Sequence, residues 1–248
     1  MTLEQFFAEN REVAIAFSGG VDSAYLLYAA TRYAARVKAY YVSTAFQPEF
    51  ELADARRLAD ELGADMLVLH VDVLSNSAVT ANPSDRCYHC KNTLFRQILR
   101  AAENDGFPVL LDGTNASDDA GDRPGMRALR ELSVRSPLRE CGLTKAEIRR
   151  LSREAGLFTW DKPAYACLAT RIRTGEEITL QKLKQTEKAE GFFFGLGFRD
   201  FRVRMVDNTA KLELRETDLP LLLENREKIV TELRKDYDSV LLNLEVRK

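Results

Sequence analysis

The chain has 248 residues, 45% of them hydrophobic and 30% charged, and a formal net charge of −2, values of a globular protein with one large domain, or one domain plus an appendage, and a core that needs no disulfide staples. So small a charge gives no overall basic footprint for nucleic acid. No stretch approaches the roughly 18 apolar residues of a membrane-crossing helix, and Met1 to Asn10 has neither the basic start nor the apolar run of a signal peptide, so a cytoplasmic protein without membrane or nucleic-acid partners is expected.

Val13-Ala14-Ile15-Ala16-Phe17 is a short apolar run bounded by glycine, the pattern of a buried parallel strand. Residues 24–35 have helical spacing and strong helix formers. A second strand is read over 37–44, a helix stopped by Gly63 over 50–62, and a third strand over 66–71. A helix follows Cys90 and runs to about residue 104; residues 109–115 form a fourth strand whose exit, Asp112-Gly113-Thr114-Asn115, is polar. The capping box Thr144-Lys145-Ala146-Glu147 opens a helix over 144–155, which ends at Gly156. Strands alternating with helices predict crossover connections and a doubly wound parallel α/β sheet.

From 158 to 177 the periodicity fails, in a segment holding Pro163, Cys167, Arg171, Arg173 and Gly175. Loops of that length in a compact domain are functional or disordered. Beyond it come a helix over 180–194, a strand pair over 201–206 and 211–215 joined through Asp207-Asn208, a helix over 219–237 and a last strand over 240–246. The expected organisation is an α/β domain over 1–175 and a small α+β domain over 176–248, without internal repeats.

Ser18-Gly19-Gly20-Val21-Asp22-Ser23 falls between the first strand and the first long helix, on the side of an open α/β sheet where ligands bind. Gly19 and Gly20 allow the backbone to turn sharply beside phosphate oxygens, and the following helix aims free amides at the same spot. The Ser18 and Ser23 hydroxyls can donate to phosphate, and Asp22 can help hold Mg2+. No lysine follows the glycines, so this is not the GxxxxGK[ST] loop. The hexapeptide resembles the loop of the N-type ATP pyrophosphatases, which include argininosuccinate, GMP and NAD synthetases and tRNA thiolases. That likeness implies ATP cleavage between the α and β phosphates and AMP transfer to a substrate oxygen. A helix start with turn glycines is the plainer alternative.

The four cysteines are Cys87, Cys90, Cys141 and Cys167, and in a reducing compartment such a set reads as metal-binding or catalytic. Arg86-Cys87-Tyr88-His89-Cys90-Lys91 places two thiols just before a predicted helix; its dipole, Arg86 and Lys91 favour thiolate. The pair alone is compatible with zinc, redox exchange or an iron–sulfur cluster. Structural zinc wants four ligands, yet there is no second such pair, and His70 and His89 are the only histidines. Cys167 is the natural third ligand, and three cysteines on a 4Fe–4S cluster leave one iron open. Cys141 reads as a packed thiol.

Asn82-Pro83-Ser84-Asp85-Arg86-Cys87-Tyr88-His89-Cys90-Lys91, Asp112-Gly113-Thr114-Asn115, Gly121-Asp122-Arg123-Pro124-Gly125, Val134-Arg135-Ser136-Pro137-Leu138 and Pro163-Ala164-Tyr165-Ala166-Cys167-Leu168-Ala169-Thr170-Arg171-Ile172 together resemble the LarE family. These are PP-loop, adenine nucleotide alpha hydrolase-like, ATP-dependent sulfur transferases that mature the nickel-pincer nucleotide of lactate racemase. The resemblance spans nearly the whole chain, Phe201-Arg202-Val203-Arg204 included. It implies a small nucleotide substrate, pyridinium-3,5-biscarboxylic acid mononucleotide, whose carboxylates are adenylated and then converted to thiocarboxylates. Some members sacrifice the sulfur of the cysteine matching Cys167; others also carry cysteines matching Cys87 and Cys90 and resemble cluster-dependent enzymes. The three cysteines here make a 4Fe–4S cluster on Cys87, Cys90 and Cys167 the favoured expectation, a sacrificial Cys167 its main rival and a tRNA thiolase a further one. The resemblance also implies trimer-based homo-oligomers.

The expected nucleotide-binding set is Ser18, Gly19, Gly20, Asp22, Ser23, Thr44, Asp112, Gly113, Thr114 and Asn115, with ATP and Mg2+ as cofactors, and the expected catalytic set is Cys167, Asp22 and Arg171. Asp118, Asp119 and Arg123 are candidates for magnesium or pyrophosphate, although a turn wants Asn and Asp for its own reasons. Arg202 and Arg204 alternate on a strand and share a face; by resemblance they grip the substrate's phosphate, and Glu190 and Glu213 form an acidic cation or substrate site. A solvated surface is the alternative for all four.

Overall fold

The computed structural model describes residues 1–118 and 124–247. In chain order the elements are α1 (Leu3–Glu9), β1 (Glu12–Ala16), α2 (Val21–Tyr33), β2 (Arg36–Ser43), α3 (Glu49–Leu62), β3 (Met66–His70), α4 (Ser77–Thr80), α5 (Arg86–Asn104), β4 (Val109–Leu111), α6 (Pro124–Glu131), α7 (Pro137–Glu140) and α8 (Lys145–Glu154). Then follow α9 (Leu180–Gly195), β5 (Arg202–Val206), β6 (Thr209–Glu213), α10 (Leu219–Glu224), α11 (Arg226–Leu233) and β7 (Ser239–Leu242). They pack as two units: Met1–Val73 with Asp85–Lys162, and Leu74–Ser84 with the described residues from Pro163 onward.

The first unit is built on a parallel sheet in the order β3-β2-β1-β4. Its strands β1, β2 and β4 bury side chains on both faces, so successive residues feed two cores, while the edge strand β3 is only partly covered. Val13, Ile15, Ala39, Tyr41 and Leu111 join one cluster with α1, α2 and α3. Ala14, Tyr40, Val42 and Leu110 join the other, where Ile98 and Ala102 of α5 cover them. The order reverses between β1 and β4, and such a switch point opens a crevice at the carboxyl ends of the strands.

Local chemistry explains several boundaries. Thr2 and Gln5 form a capping box that starts α1, a helix whose signature stands in the sequence but was not among the expected elements. The helix bearing the cysteine pair begins at Arg86 rather than after Cys90. Packing against α6 draws this weak helix-forming stretch in: Tyr88 donates to Glu131 at 2.7 Å and Arg127 lies over the Tyr88 ring. The fourth strand stops at Leu111, so Asp112 to Asn115 leave the sheet. The helix expected over 219–237 is two, broken where the Asn225 side chain donates back to the Leu221 carbonyl.

In the second unit β5 and β6 are an antiparallel hairpin and β7 runs parallel to β6. Asp207 and Asn208 turn the hairpin with φ of 46° and 60°, the two-residue turn suited to strand twist. Phe193, Phe198, Phe201, Val203, Leu212 and Ile229 form its core. The expected division at 175/176 differs from this partition. Residues 163–175 belong with the second unit, where Ile172 bridges Met205, and so does Leu74–Ser84, where Gly175 N donates to Asn82 O and Ile178 N to Thr80 O. Among the described residues no helix is long and apolar enough to cross a membrane.

Candidate active site

The glycine loop follows β1 directly into α2, beside the exit of β4. Gly19 has φ of 72° and lies against α3, so a Cβ there would come within 3.2 Å of Ala55 Cβ. Gly113 is tighter: a Cβ would lie 2.9 Å from Ser23 N. Only hydrogens fit at the point where the two exits meet. Ser18 and Ser23 join hydroxyls at 3.0 Å, and Ser23 Oγ also donates to Gly20 O. Gly20 begins α2 without a side-chain cap, so that helix keeps first-turn amides and a positive dipole end for an anion.

Asp22 stands in the first turn of α2 and receives Lys145 Nζ at 2.6 Å on Oδ2. Its Oδ1 is buried with no hydrogen-bond partner among the described residues. Burial holds its carboxyl above the usual range; Lys145 opposes this, and Asp118 adds to it. Asp112 is buried and organises the β4 exit by accepting from Thr114 Oγ1 at 2.5 Å and Ser136 Oγ at 2.6 Å. Asn115 is also buried and closes the next turn, its N–H on Asp118 and its side-chain oxygen on Ser117 N.

These exits line a cleft of about 320 Å³ whose wall includes Ser18, Gly20, Asp22, Lys91, Thr114 and Asp118. A smaller apolar slot of about 140 Å³ adjoins it, sharing Ala16, Ser18 and Phe95 and lined further by Tyr40, Leu94 and Ile98. Thr44 lies in a hollow of about 430 Å³ at the end of β2 that shares Tyr41 and Gln47 with the slot, its hydroxyl donating to Gln47. Helix α5 ties the cleft to the cysteine pair. Lys91, Leu94, Phe95 and Ile98 line the cleft and slot, and Cys87 precedes Lys91 by four residues on the same helix face. The rise between them is about 6 Å. Cys87 is exposed and Cys90 half-buried; none of the four cysteines is in a disulfide. Cys141 packs against the first core, and burial pushes its thiol up.

In the second unit Cys167 opens a short 3-10 turn, Leu168–Arg171. Arg171 and Glu190 are both buried and form a two-point pair, Nε to Oε1 at 2.7 Å and Nη2 to Oε2 at 3.0 Å. Tyr165 OH and Val203 N also donate to Glu190, so its two oxygens accept four bonds. Glu190 is a buried hub here, and a surface carboxylate it is not. Arg171 also donates to Ala166 O and interacts electrostatically with Cys167. Arg202 is buried and donates to Ala164 O at 2.5 Å; burial, then the nearby Arg171 and Arg247, pulls it down to about 10. Arg204 pairs with Glu213 at 2.6 Å and donates to Thr170 O at 2.6 Å. The arginines therefore hold carbonyls on both sides of Cys167.

The chemistry of these donors fits some of the expected groups. Asp22 and Asp118 supply carboxylates to the cleft, and one or two carboxylates beside substrate phosphates suit magnesium. Cys87 and Cys90, one helical turn apart, suit two thiolate ligands of a cluster. Among the described residues no three of His, Cys, Asp and Glu converge to hold a metal ion. Asp119 and Arg123 lie outside the described residues. Lys145 was not foreseen, because it meets Asp22 across 123 positions with no local signal. Lys91 and Phe95 were visible in principle, in the helical spacing 87, 91, 94, 95, 98.

Comparison with known proteins decides among the adenylating enzymes. Residues 4–118, which carry the glycine loop and β1 to β4, match the asparagine synthase family. The pyridinium-3,5-bisthiocarboxylic acid mononucleotide synthase of Lactiplantibacillus plantarum is 33% identical over 87% of this chain and 79% of its own. The chain belongs to that synthase family, the LarE family. It is an ATP-using, adenylating sulfurtransferase with the PP-loop fold. Uncharacterized proteins of Synechocystis sp. and Methanocaldococcus jannaschii are 39% identical over 86% of this chain and 80% of theirs, and 30% identical over 96% and 91%. A tRNA-specific 2-thiouridylase of Thermotoga maritima is more distant, at 26% over 59% of this chain and 52% of its own.

Proposed function

We propose that the chain adenylates the carboxylates of pyridinium-3,5-biscarboxylic acid mononucleotide and replaces an oxygen of each with sulfur. The observation that carries this is the path of α5, which brings Cys87 and Cys90 to the end of a helix whose continuing face lines the nucleotide cleft. A nucleotide fits with its base in the apolar slot and its phosphates against the amides of α2. Lys145 then supplies the cation that the glycine loop lacks, and Asp22 with Asp118 holds Mg2+. A substrate carboxylate oxygen attacks the α phosphorus and pyrophosphate leaves. Carboxylate oxygen, a poor leaving group, becomes part of AMP, which a sulfur nucleophile displaces at the carbonyl carbon. Arg202 and Arg204 are the anion-binding arginines for the substrate's phosphate.

Cys87, Cys90 and Cys167 are the sulfur-bearing residues. A 4Fe–4S cluster on them would supply an iron open to external sulfide. The test is anaerobic turnover with ATP and the biscarboxylate, followed by mass spectrometry of both product and protein. Oxygen-for-sulfur exchange in the product with matching pyrophosphate release is expected, together with bound iron lost on changing Cys87, Cys90 or Cys167 to Ala and retained in Cys141→Ala. Loss of one H₂S from Cys167 in iron-free protein would replace the cluster route with a sacrificial one. Sulfide incorporated into bulk tRNA would overturn the substrate.

A further inference from the structure

The stretch before the cysteine pair has a part in the second unit that its sequence does not announce. Asn82 is fully buried, with φ of 53°, a conformation that asparagine tolerates better than most residues. Its side-chain Nδ2 donates to Arg173 O at 2.8 Å and to Ile172 O at 3.4 Å. Its own carbonyl accepts Gly175 N at 2.9 Å, and two residues earlier Thr80 O accepts Ile178 N at 2.8 Å. One side chain and two backbone carbonyls thus clasp residues 172–178, the exit of the Cys167 loop. The rest of the loop is held at Ala164, Ala166 and Thr170 by Arg202, Arg171 and Arg204. Those arginines are charged and suited to anions. Asn82 is neutral and buried, so holding backbone is the work its geometry serves.

Resting on the sulfur-transfer reading above, we propose that Asn82 is a positioning residue for sulfur delivery: it fixes the exit of the Cys167 loop and takes no part in ATP activation. Two hydrogen bonds into carbonyls that follow Cys167 by five and six residues limit where the thiol can go. A misplacement of about 1 Å in a reacting group can cost on the order of 100-fold in rate. The residues assigned above to ATP and Mg2+, Ser18 to Ser23 and Asp118, lie in the other unit, and the Asn82 side chain donates to backbone carbonyls rather than to the anion-binding arginine side chains, so pyrophosphate release is expected to be unaffected.

The test uses the full-length protein with Asn82→Asp, which keeps the shape and removes the donors, and Asn82→Gly, which keeps the backbone conformation should the aspartate variant fail to fold. Three quantities are read: pyrophosphate release, thiocarboxylate formation, and the rate of iodoacetamide alkylation of Cys167 in chelator-stripped protein by peptide mass mapping. Asn82→Gly is expected to release pyrophosphate at the wild-type rate and KM for ATP, to form thiocarboxylate about 100-fold more slowly, and to expose Cys167 to alkylation about tenfold faster. Wild-type alkylation and product formation in Asn82→Gly would overturn the proposal. So would an equal fall in both half-reactions with a lowered melting temperature, the result of a merely structural role. A wild-type protein that makes no thiocarboxylate defeats the functional reading, while the alkylation rate still decides the role of Asn82.

Discussion

The nucleotide cleft and the Cys167 loop are held in place by different forces. The cleft is made by backbone: a parallel ladder sets β1 beside β4, a helix start offers its amides, and two glycines permit an approach that a Cβ would block at Gly113 and crowd at Gly19. Its polar side chains bond mainly within a few residues, as Ser18 does with Ser23 and Asp112 with Thr114. Among the described residues the Cys167 loop joins no ladder beyond the bridge at Ile172. Side chains from distant positions hold its carbonyls one by one: Arg202 takes Ala164, Arg204 takes Thr170 and Asn82 takes Arg173. A frame of regular structure spreads strain over many bonds, whereas a loop hung on a few polar contacts can be released by one substitution.

The sharpest break of that contrast is Glu190→Ala, which leaves Arg171 buried without its carboxylate and removes the oxygens that Tyr165 OH and Val203 N donate to. A loss of about 3–5 kcal/mol is expected, read as the urea midpoint of the second unit, with adenylation falling far less than sulfur transfer. Replacing Arg171 and Glu190 together by Met and Leu should recover most of the stability without restoring sulfur transfer. Gly113→Ala attacks the other side of the comparison. The clash with Ser23 N should cost about 1–3 kcal/mol and abolish ATP-dependent pyrophosphate release, while Cys167 alkylation stays at the wild-type rate.

A smaller effect belongs to Asp22. Burial keeps its folded-state pKa above the ordinary value, so between the two values the folded chain holds a proton that the unfolded chain has released. Stability therefore falls as pH rises through that window and stays lower above it. Asp22→Asn is expected to raise the melting temperature at neutral pH, with the gain vanishing below about pH 4, where the wild-type carboxyl is neutral in both states. The same variant should lose pyrophosphate release. A lower melting temperature at neutral pH would show that the Lys145 pair outweighs the desolvation.

The same division accounts for what the sequence disclosed. The sheet was legible because Val13, Ile15, Tyr41 and their neighbours are apolar without interruption, and because Ser18 to Ser23 sits between a strand and a helix. Helix α1 was legible in its Thr2 and Gln5 capping box and went unread. The start of α5 was hidden by the poor helix formers around Cys87, which packing of Tyr88 against Arg127 and Glu131 of α6 overrides. What no local pattern marks is the long-range polar work: Lys145 at Asp22, Glu190 buried under Arg171, and Asn82 beneath the cysteine loop. Each depends on which distant polar groups the fold brings together, side chains for Lys145 and Glu190 and backbone carbonyls for Asn82, and that is settled only once the chain has folded.

The most direct test is a single-turnover experiment with Cys167→Ala, ATP and the biscarboxylate nucleotide, following pyrophosphate and product mass together. The account predicts pyrophosphate released at the wild-type rate and a product that keeps all its carboxylate oxygens. A thiocarboxylate made without Cys167 would contradict it.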